Sequence, residues 1–249
     1  MTVLAVACAL AACAAAAPAG AFAADHRAVR PLSAVGPLGD ERLSDERRVS
    51  RYAGAVARVA VRVRPATRAR RVARLHYLNE DGLFEVYPVL ESHVDARART
   101  WLRIRLPMRP NGRTGWVLRE HLGALRVVRT SLRVNRATLR ATLYRDGRRI
   151  WSSPVGVGAP STPTPAGRFW IRSRLRGLGG NPVYGPYAFG TGAYSVLSDW
   201  PGGGVVGIHG TDQPGLIRGR PSHGCVRVPN AAIARLWSLM PIGTPVAIL

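Results

Sequence analysis

Residues 208–227 read IHGTDQPGLIRGRPSHGCVR, and they hold Cys225, the only cysteine beyond an apolar leader, with His209 and His223, two of the six histidines. A thiol becomes a nucleophile when a nearby base or positive surroundings give it thiolate character, and imidazole is the commonest partner for that task. His209 precedes Cys225 by sixteen residues. That distance is too great for neighbours on one element, so contact requires two strands, or a strand and a loop, brought side by side. Gly210, Gly215, Gly219 and Gly224 permit the tight turns and close backbone approach this needs. A metal site built from Cys225, the two histidines and Asp212 is the competing reading. It lacks the CxxC or HxxxH spacing of a four-ligand zinc centre, so neither a metal nor an organic cofactor is expected.

Downstream, Asn230 follows Pro229 as a helix N-cap, and Ile233, Leu236, Trp237 and Met240 recur at helical spacing on one face, the mark of a core stripe. Pro241 stops that helix, Gly243 turns the chain, and residues 246–249 supply a last strand. Upstream, residues 174–204 are rich in Gly, Pro and rings, including Tyr184, Tyr187, Phe189, Tyr194 and Trp200. They read as a long irregular insertion, a lid or cleft wall in which Tyr187 faces substrate or the rings form a satellite core. Before it, the prolines of STPTPAGRF, residues 161–169, fix a rigid loop ahead of a strand over 169–173. Residues 138–144 alternate, Asp146-Gly147 is a two-residue hairpin turn, and 149–157 returns.

Earlier still, residues 53–123 form short alternating segments bounded by turn signals. In residues 101–106, Leu102, Ile104 and Leu106 share one face and Arg103 and Arg105 the other, as in a half-buried strand. This is a small antiparallel all-β unit. Residues 25–52 mix charge with Pro and Gly and read as a linker, with one short helical piece near 41–51. Residues 1–24 are an apolar, small-residue run ending in Ala21-Phe22-Ala23, the small-x-small pattern of a cleaved secretory leader.

The chain has 249 residues and a net charge of +22, all of its 36 basic residues being arginine. The arginines are spread along the whole length and no helix-turn-helix, zinc-finger or RNA-binding signature accompanies them, so nucleic acid is not the expected partner. A coding bias accounts for arginine without lysine, and a basic surface suits an anionic polymer. An unpaired thiol in an exported protein is itself a sign of reactivity.

Ser222-His223-Gly224-Cys225-Val226-Arg227, preceded by Ile208-His209-Gly210, resembles the signature of the YkuD-type L,D-transpeptidases, bacterial enzymes that cross-link peptidoglycan. The 161–169 segment is similar to that family's Thr-Pro-Thr-Pro-x-Gly-x-Phe. The resemblance implies a mainly β fold: a β-sandwich-like catalytic domain over 125–249 with a short C-terminal helix. It implies Cys225 as nucleophile, His209 as proton acceptor and donor, and Gly210, through its carbonyl, as the group that orients the imidazole. His223, Gly224 and the Cys225 amide match the oxyanion region, while Ser222 and Arg227 match positions that hold the loop or a substrate carboxylate. The partners implied are peptidoglycan stem peptides, a tetrapeptide donor and an amine acceptor, outside the cytoplasm. Residues 111–122 resemble a bacterial SH3-like β-barrel, expected over 53–123. Leu10-Ala11-Ala12-Cys13 resembles a lipoprotein box, through which Cys13 would anchor the chain to the membrane. Two alternatives stay open: an L,D-carboxypeptidase or endopeptidase in which water resolves the acyl-enzyme, and a non-catalytic wall-binding protein.

Overall fold

Alternation of apolar and polar side chains builds sixteen strands in this computed structural model, which describes residues 40–199 and 201–249. The expected leader over 1–24, with Cys8 and Cys13, residues 25–39 and Trp200 lie outside the described residues. The described residues cluster as one compact unit. The fold is mainly β, with a single α-helix among the described residues.

Eight strands make the first sheet: β1 (Asp40–Arg42), β2 (Ser50–Gly54), β3 (Ala60–Arg62), β4 (Arg71–Arg74), β5 (Val86–Val94), β6 (Thr100–Arg105), β7 (Thr114–Leu118) and β8 (Arg126–Val128). Their order is β4-β3-β7-β6-β5-β2-β8, with β1 on β5, and every pairing is antiparallel. A bridge between Ala55 and Leu122 curls the sheet back on itself. Leu102, Ile104 and Leu106 are buried in its core, while Arg103 and Arg105 point out to Glu91 and Glu46, as the alternation requires.

Of the linker expected over 25–52, the described part, 40–52, carries β1 and the start of β2, and the helical piece near 41–51 does not form. The Asp45 carboxylate accepts the amides of Arg47, Arg48 and Val49 at 2.8, 2.8 and 2.9 Å. These bonds close a tight turn with Glu46 at φ 56°, so the side chain competes with the backbone for the donors a helix would use. At the other end, β8 pairs with β2, so the unit expected to end at 123 continues to 128.

The second sheet comprises β9 (Thr130–Asn135), β10 (Arg140–Arg145), β11 (Arg148–Pro154), β12 (Gly167–Arg176), β13 (Tyr187–Tyr194), β14 (Val205–His209), β15 (Val226–Arg227) and β16 (Pro245–Ile248), with the helix α1 (Asn230–Leu239). Strand order is β11-β10-β9-β16-β12-β13-β14-β15, antiparallel except at β9/β16 and β14/β15. Asp146 and Gly147 take φ of 50° and 81°, the left-handed pair that a two-residue turn between twisted strands demands. Ile233, Leu236 and Met240 of the helical stripe are buried in the core with Phe169, Ile171, Phe189 and Val246. Asn230 does not cap α1, because its side-chain oxygen is taken by the Thr211 amide at 2.9 Å.

The insertion expected to be irregular over 174–204 carries strand at 174–176 and 187–194, since β12 runs to Arg176 and β13 lies between β12 and β14, and its other described residues lie outside strands. Gly190 and Gly192 hide the strand in the sequence by interrupting its apolar pattern. They are demanded by packing: a Cβ at Gly192 would lie 2.5 Å from the Trp170 ring, and one at Gly190 would lie 2.3 Å from Ser173 Oγ.

The two sheets are joined by buried and half-buried polar bonds. Trp170 Nε1 donates to the Val86 carbonyl at 2.8 Å. Arg172, 3% exposed, forks onto Glu85, also 3% exposed, and reaches Glu80 at 2.8 Å. Tyr194 donates its hydroxyl to the same Glu80.

Candidate active site

β14 and β15 run parallel with Ile208 opposite Val226 and His209 opposite Arg227. Side chains alternate between faces, so Gly207, His209, Cys225 and Arg227 share one face. The sixteen-residue separation in sequence is thereby closed. The Gly207 amide donates to Cys225 Sγ at 3.3 Å. A Cβ built on Gly207 would lie 3.7 Å from His209 Cδ2 and 3.8 Å from Cys225 Sγ, so thiol and imidazole converge over this bare backbone.

His209 is 3% exposed. Its Nδ1 lies 2.6 Å from the Gly210 carbonyl, an acceptor only, which assigns the proton to Nδ1 and leaves Nε2 as the basic nitrogen. Burial pushes its pKa down to about 4, the Gly210 bond opposing and Arg227 assisting. The resting ring is therefore neutral and able to take a proton. Burial also pushes the Cys225 thiol up, while the Gly207 amide and Arg227 pull the other way. The pair at rest is thus a thiol and a neutral imidazole. Gly210 has no room for a side chain, since a Cβ there would sit 2.3 Å from Asn230 Oδ1 and 3.0 Å from the Gly185 backbone.

The segment before Cys225 is pinned carbonyl by carbonyl. Ser195 Oγ donates to His223 O at 2.9 Å, Thr164 Oγ1 to Gly224 O at 2.8 Å, and Ser222 Oγ to Cys225 O at 2.6 Å. A trans peptide sets each carbonyl opposite the following N–H. The Thr164 bond therefore fixes which way the Cys225 amide points. The Gly224 amide is turned to Ser222 Oγ at 3.3 Å, and Gly224 sits at φ 123°, a conformation that glycine alone adopts without strain. The loop of residues 161–165 stands against this segment, through Thr164 and through Thr162 Oγ1 bonding Ser222 O at 3.3 Å.

Arg227 bonds Gln213 Oε1 at 2.9 Å through Nη1, while its buried Nε has no hydrogen-bond partner among the described residues. The His223 side chain is exposed. Tyr187 is a correction. Its neighbour Ala188 is opposite His209, so Tyr187 projects to the other face of β13, stacking on Trp237 of α1 at 4.8 Å. The ring that meets the imidazole is Tyr184, edge-on at 5.0 Å. Among the described residues no group of His, Cys, Asp and Glu is placed to hold a metal ion.

Residues 129–248 match the YkuD family, described as the L,D-transpeptidase catalytic domain. The YkuD protein of Bacillus subtilis is 38% identical over 108 residues, 43% of this chain and 58% of that protein. That of Bacillus licheniformis is 37% identical over 121 residues, 48% of this chain and 64% of the relative. This chain therefore spans under two thirds of either relative. Among solved structures, an Enterococcus faecium L,D-transpeptidase crystallised as a cysteine-to-serine mutant is 30% identical over 48% of this chain and 49% of that one, with a TM-score of 0.38. An L,D-transpeptidase from Mycobacterium smegmatis is 15% identical over 61% of this chain and 90% of that one, with a TM-score of 0.40.

Proposed function

We propose that residues 129–248, which match the YkuD L,D-transpeptidase catalytic domain, are such a domain and that the chain cross-links peptidoglycan stem peptides through a thioester on Cys225. The observation that carries this reading is the convergence of the Cys225 thiol and the His209 ring over Gly207.

His209 Nε2 takes the thiol proton as Sγ bonds the carbonyl carbon between the L- and D-centres of a tetrapeptide donor. Negative charge develops on the carbonyl oxygen, where the Cys225 amide, held by Thr164 through Gly224, supplies a preorganised donor. As the tetrahedral centre collapses, the imidazolium returns its proton to the departing amine of the terminal D-residue, leaving an acyl thioester. An amine from a neighbouring stem then attacks, His209 takes its proton, and the new amide forms as the thiol is restored. The Gly210 carbonyl holds the ring tautomer throughout, as a third group does in other nucleophile–base arrangements. Arg227, opposite His209 across β14 and β15, would offer its guanidinium to a substrate carboxylate. The substrate lies outside the membrane, so this reading requires export.

Mass spectrometry of the protein incubated with a disaccharide-tetrapeptide, with Cys225→Ala alongside, tests it. Dimeric muropeptide made only by the unsubstituted protein is the expected result. Tripeptide without dimer would assign a hydrolase instead, and absence of both products and of any covalent adduct would favour a binding protein.

A further inference from the structure

The first sheet reaches the catalytic segment through one arginine. Arg109, in the connection between β6 and β7, donates through Nη2 to the carbonyls of Ser195, Leu197 and Gly203 at 3.0, 3.0 and 2.9 Å. Its guanidinium lies 4.7 Å from the centre of the Tyr194 ring. Two residues on, the Asn111 amide pairs with both backbone groups of Tyr194, at 2.8 Å to its carbonyl and 3.0 Å from its amide, as a neighbouring strand would. The connection from β13 to β14 is thereby gathered around a single cation from the other sheet. Charge-assisted bonds to three carbonyls hold such a turn more firmly than neutral ones. Ser195, gripped at its carbonyl, carries the hydroxyl that donates to His223 O, two residues before the nucleophile.

We propose that Arg109 is a positioning residue for the reaction at Cys225, setting the 223–225 backbone through Ser195, so that residues 40–128 complete the active site. This rests on the reading of Cys225 as the acylated nucleophile. The geometry separates two properties of that thiol. Acylation by a stem peptide needs both the thiol and a correctly aimed backbone amide for the oxyanion. Alkylation by iodoacetamide needs only the thiol, because no oxyanion forms.

The test compares, in the full chain, single-turnover acylation by disaccharide-tetrapeptide with iodoacetamide alkylation of Cys225, across pH, for Arg109→Ala, Ser195→Ala and the double variant. Acylation slows about tenfold to a hundredfold, as small misplacements of a reacting geometry do. The alkylation rate and its pH profile stay within about twofold, and the double variant is no worse than the more impaired single one, because both substitutions break one chain of contacts. Ser195→Ala guards against a folding artefact, since it removes only the final hydroxyl. Unchanged acylation in Arg109→Ala, or equal loss of acylation and alkylation in Ser195→Ala, would overturn the proposal. If the unsubstituted protein is not acylated, it is the transpeptidase reading that falls. Amide exchange then decides the positioning claim: faster exchange over 195–204 and 222–225 in Arg109→Ala sustains it, and unchanged exchange removes it.

Discussion

Thr164 Oγ1 donates to the Gly224 carbonyl at 2.8 Å and accepts the Gly158 amide at 2.8 Å, all within a pocket where Thr164 is 1% exposed. One hydroxyl thus ties three segments, and through the peptide plane of Gly224 and Cys225 it aims the amide of the nucleophile. Thr164→Val keeps shape but leaves a buried donor and a buried acceptor unmade. It should cost about 1–3 kcal/mol in stability and slow acylation by about tenfold or more. Thr164→Ser should restore most of both. Urea unfolding and single-turnover acylation check this, and equal rates for Val and Ser would refute the aiming role.

Burial holds His209 near about 4, against roughly 6.5 in an unfolded chain. Between those values the unfolded chain binds more protons at this site than the folded one, so stability rises with pH across the window. It is complete above about 6.5 and lost as pH falls towards 4, amounting to about 3 kcal/mol for this group. His209→Gln should remove that share of the acid dependence. Urea midpoints at pH 4.5 and 7 for both proteins measure it, and identical slopes would show that the ring is not held neutral by the fold.

The Arg172–Glu85 pair joins the two sheets with both side chains nearly out of reach of water. Removing one partner strands a buried charge, so Arg172→Met should destabilise by about 3–5 kcal/mol. Arg172→Met with Glu85→Leu should cost much less than that, because neither charge remains. Chemical denaturation of the single and double variants decides it, and additive losses would mean that the two groups do not act as a pair.

What could be read from the sequence follows from how rare and how local the signal is. Cys225 and His209 stand out because few residue types carry nucleophile chemistry. Alternation exposed Leu102 and Ile104, and Asp146-Gly147 marked its own turn. Thr164, Ser195 and Arg109 were illegible, since a hydroxyl or guanidinium acquires its role only when distant segments are laid side by side. The face that Tyr187 takes depends on the β13/β14 register, which the sequence does not display, and β13 is concealed by glycines that Trp170 and Ser173 require. Asp45 replaces the expected helical piece with a tight turn by accepting three backbone donors.

Gly207 offers the sharpest separation of fold from chemistry. A Cβ there would meet the Phe189 carbonyl at 3.6 Å, His209 Cδ2 at 3.7 Å and Cys225 Sγ at 3.8 Å. All three are ordinary van der Waals distances, and Gly207 is not among the residues of positive φ. Alanine is therefore accommodated without strain, and its smaller backbone entropy loss favours folding by up to about 1 kcal/mol. The methyl group, however, occupies the space over which thiol and imidazole converge, where the proton must pass and the carbonyl carbon must enter. Gly207→Ala should therefore match or exceed the thermal stability of the unsubstituted protein while acylation falls by about a hundredfold. Gly210→Ala, whose Cβ would collide with Asn230 Oδ1 at 2.3 Å, should lose stability and activity together. Thermal melts beside single-turnover acylation distinguish the two sites. Full activity in a stable Gly207→Ala protein would mean that Cys225 and His209 do not exchange a proton across this gap.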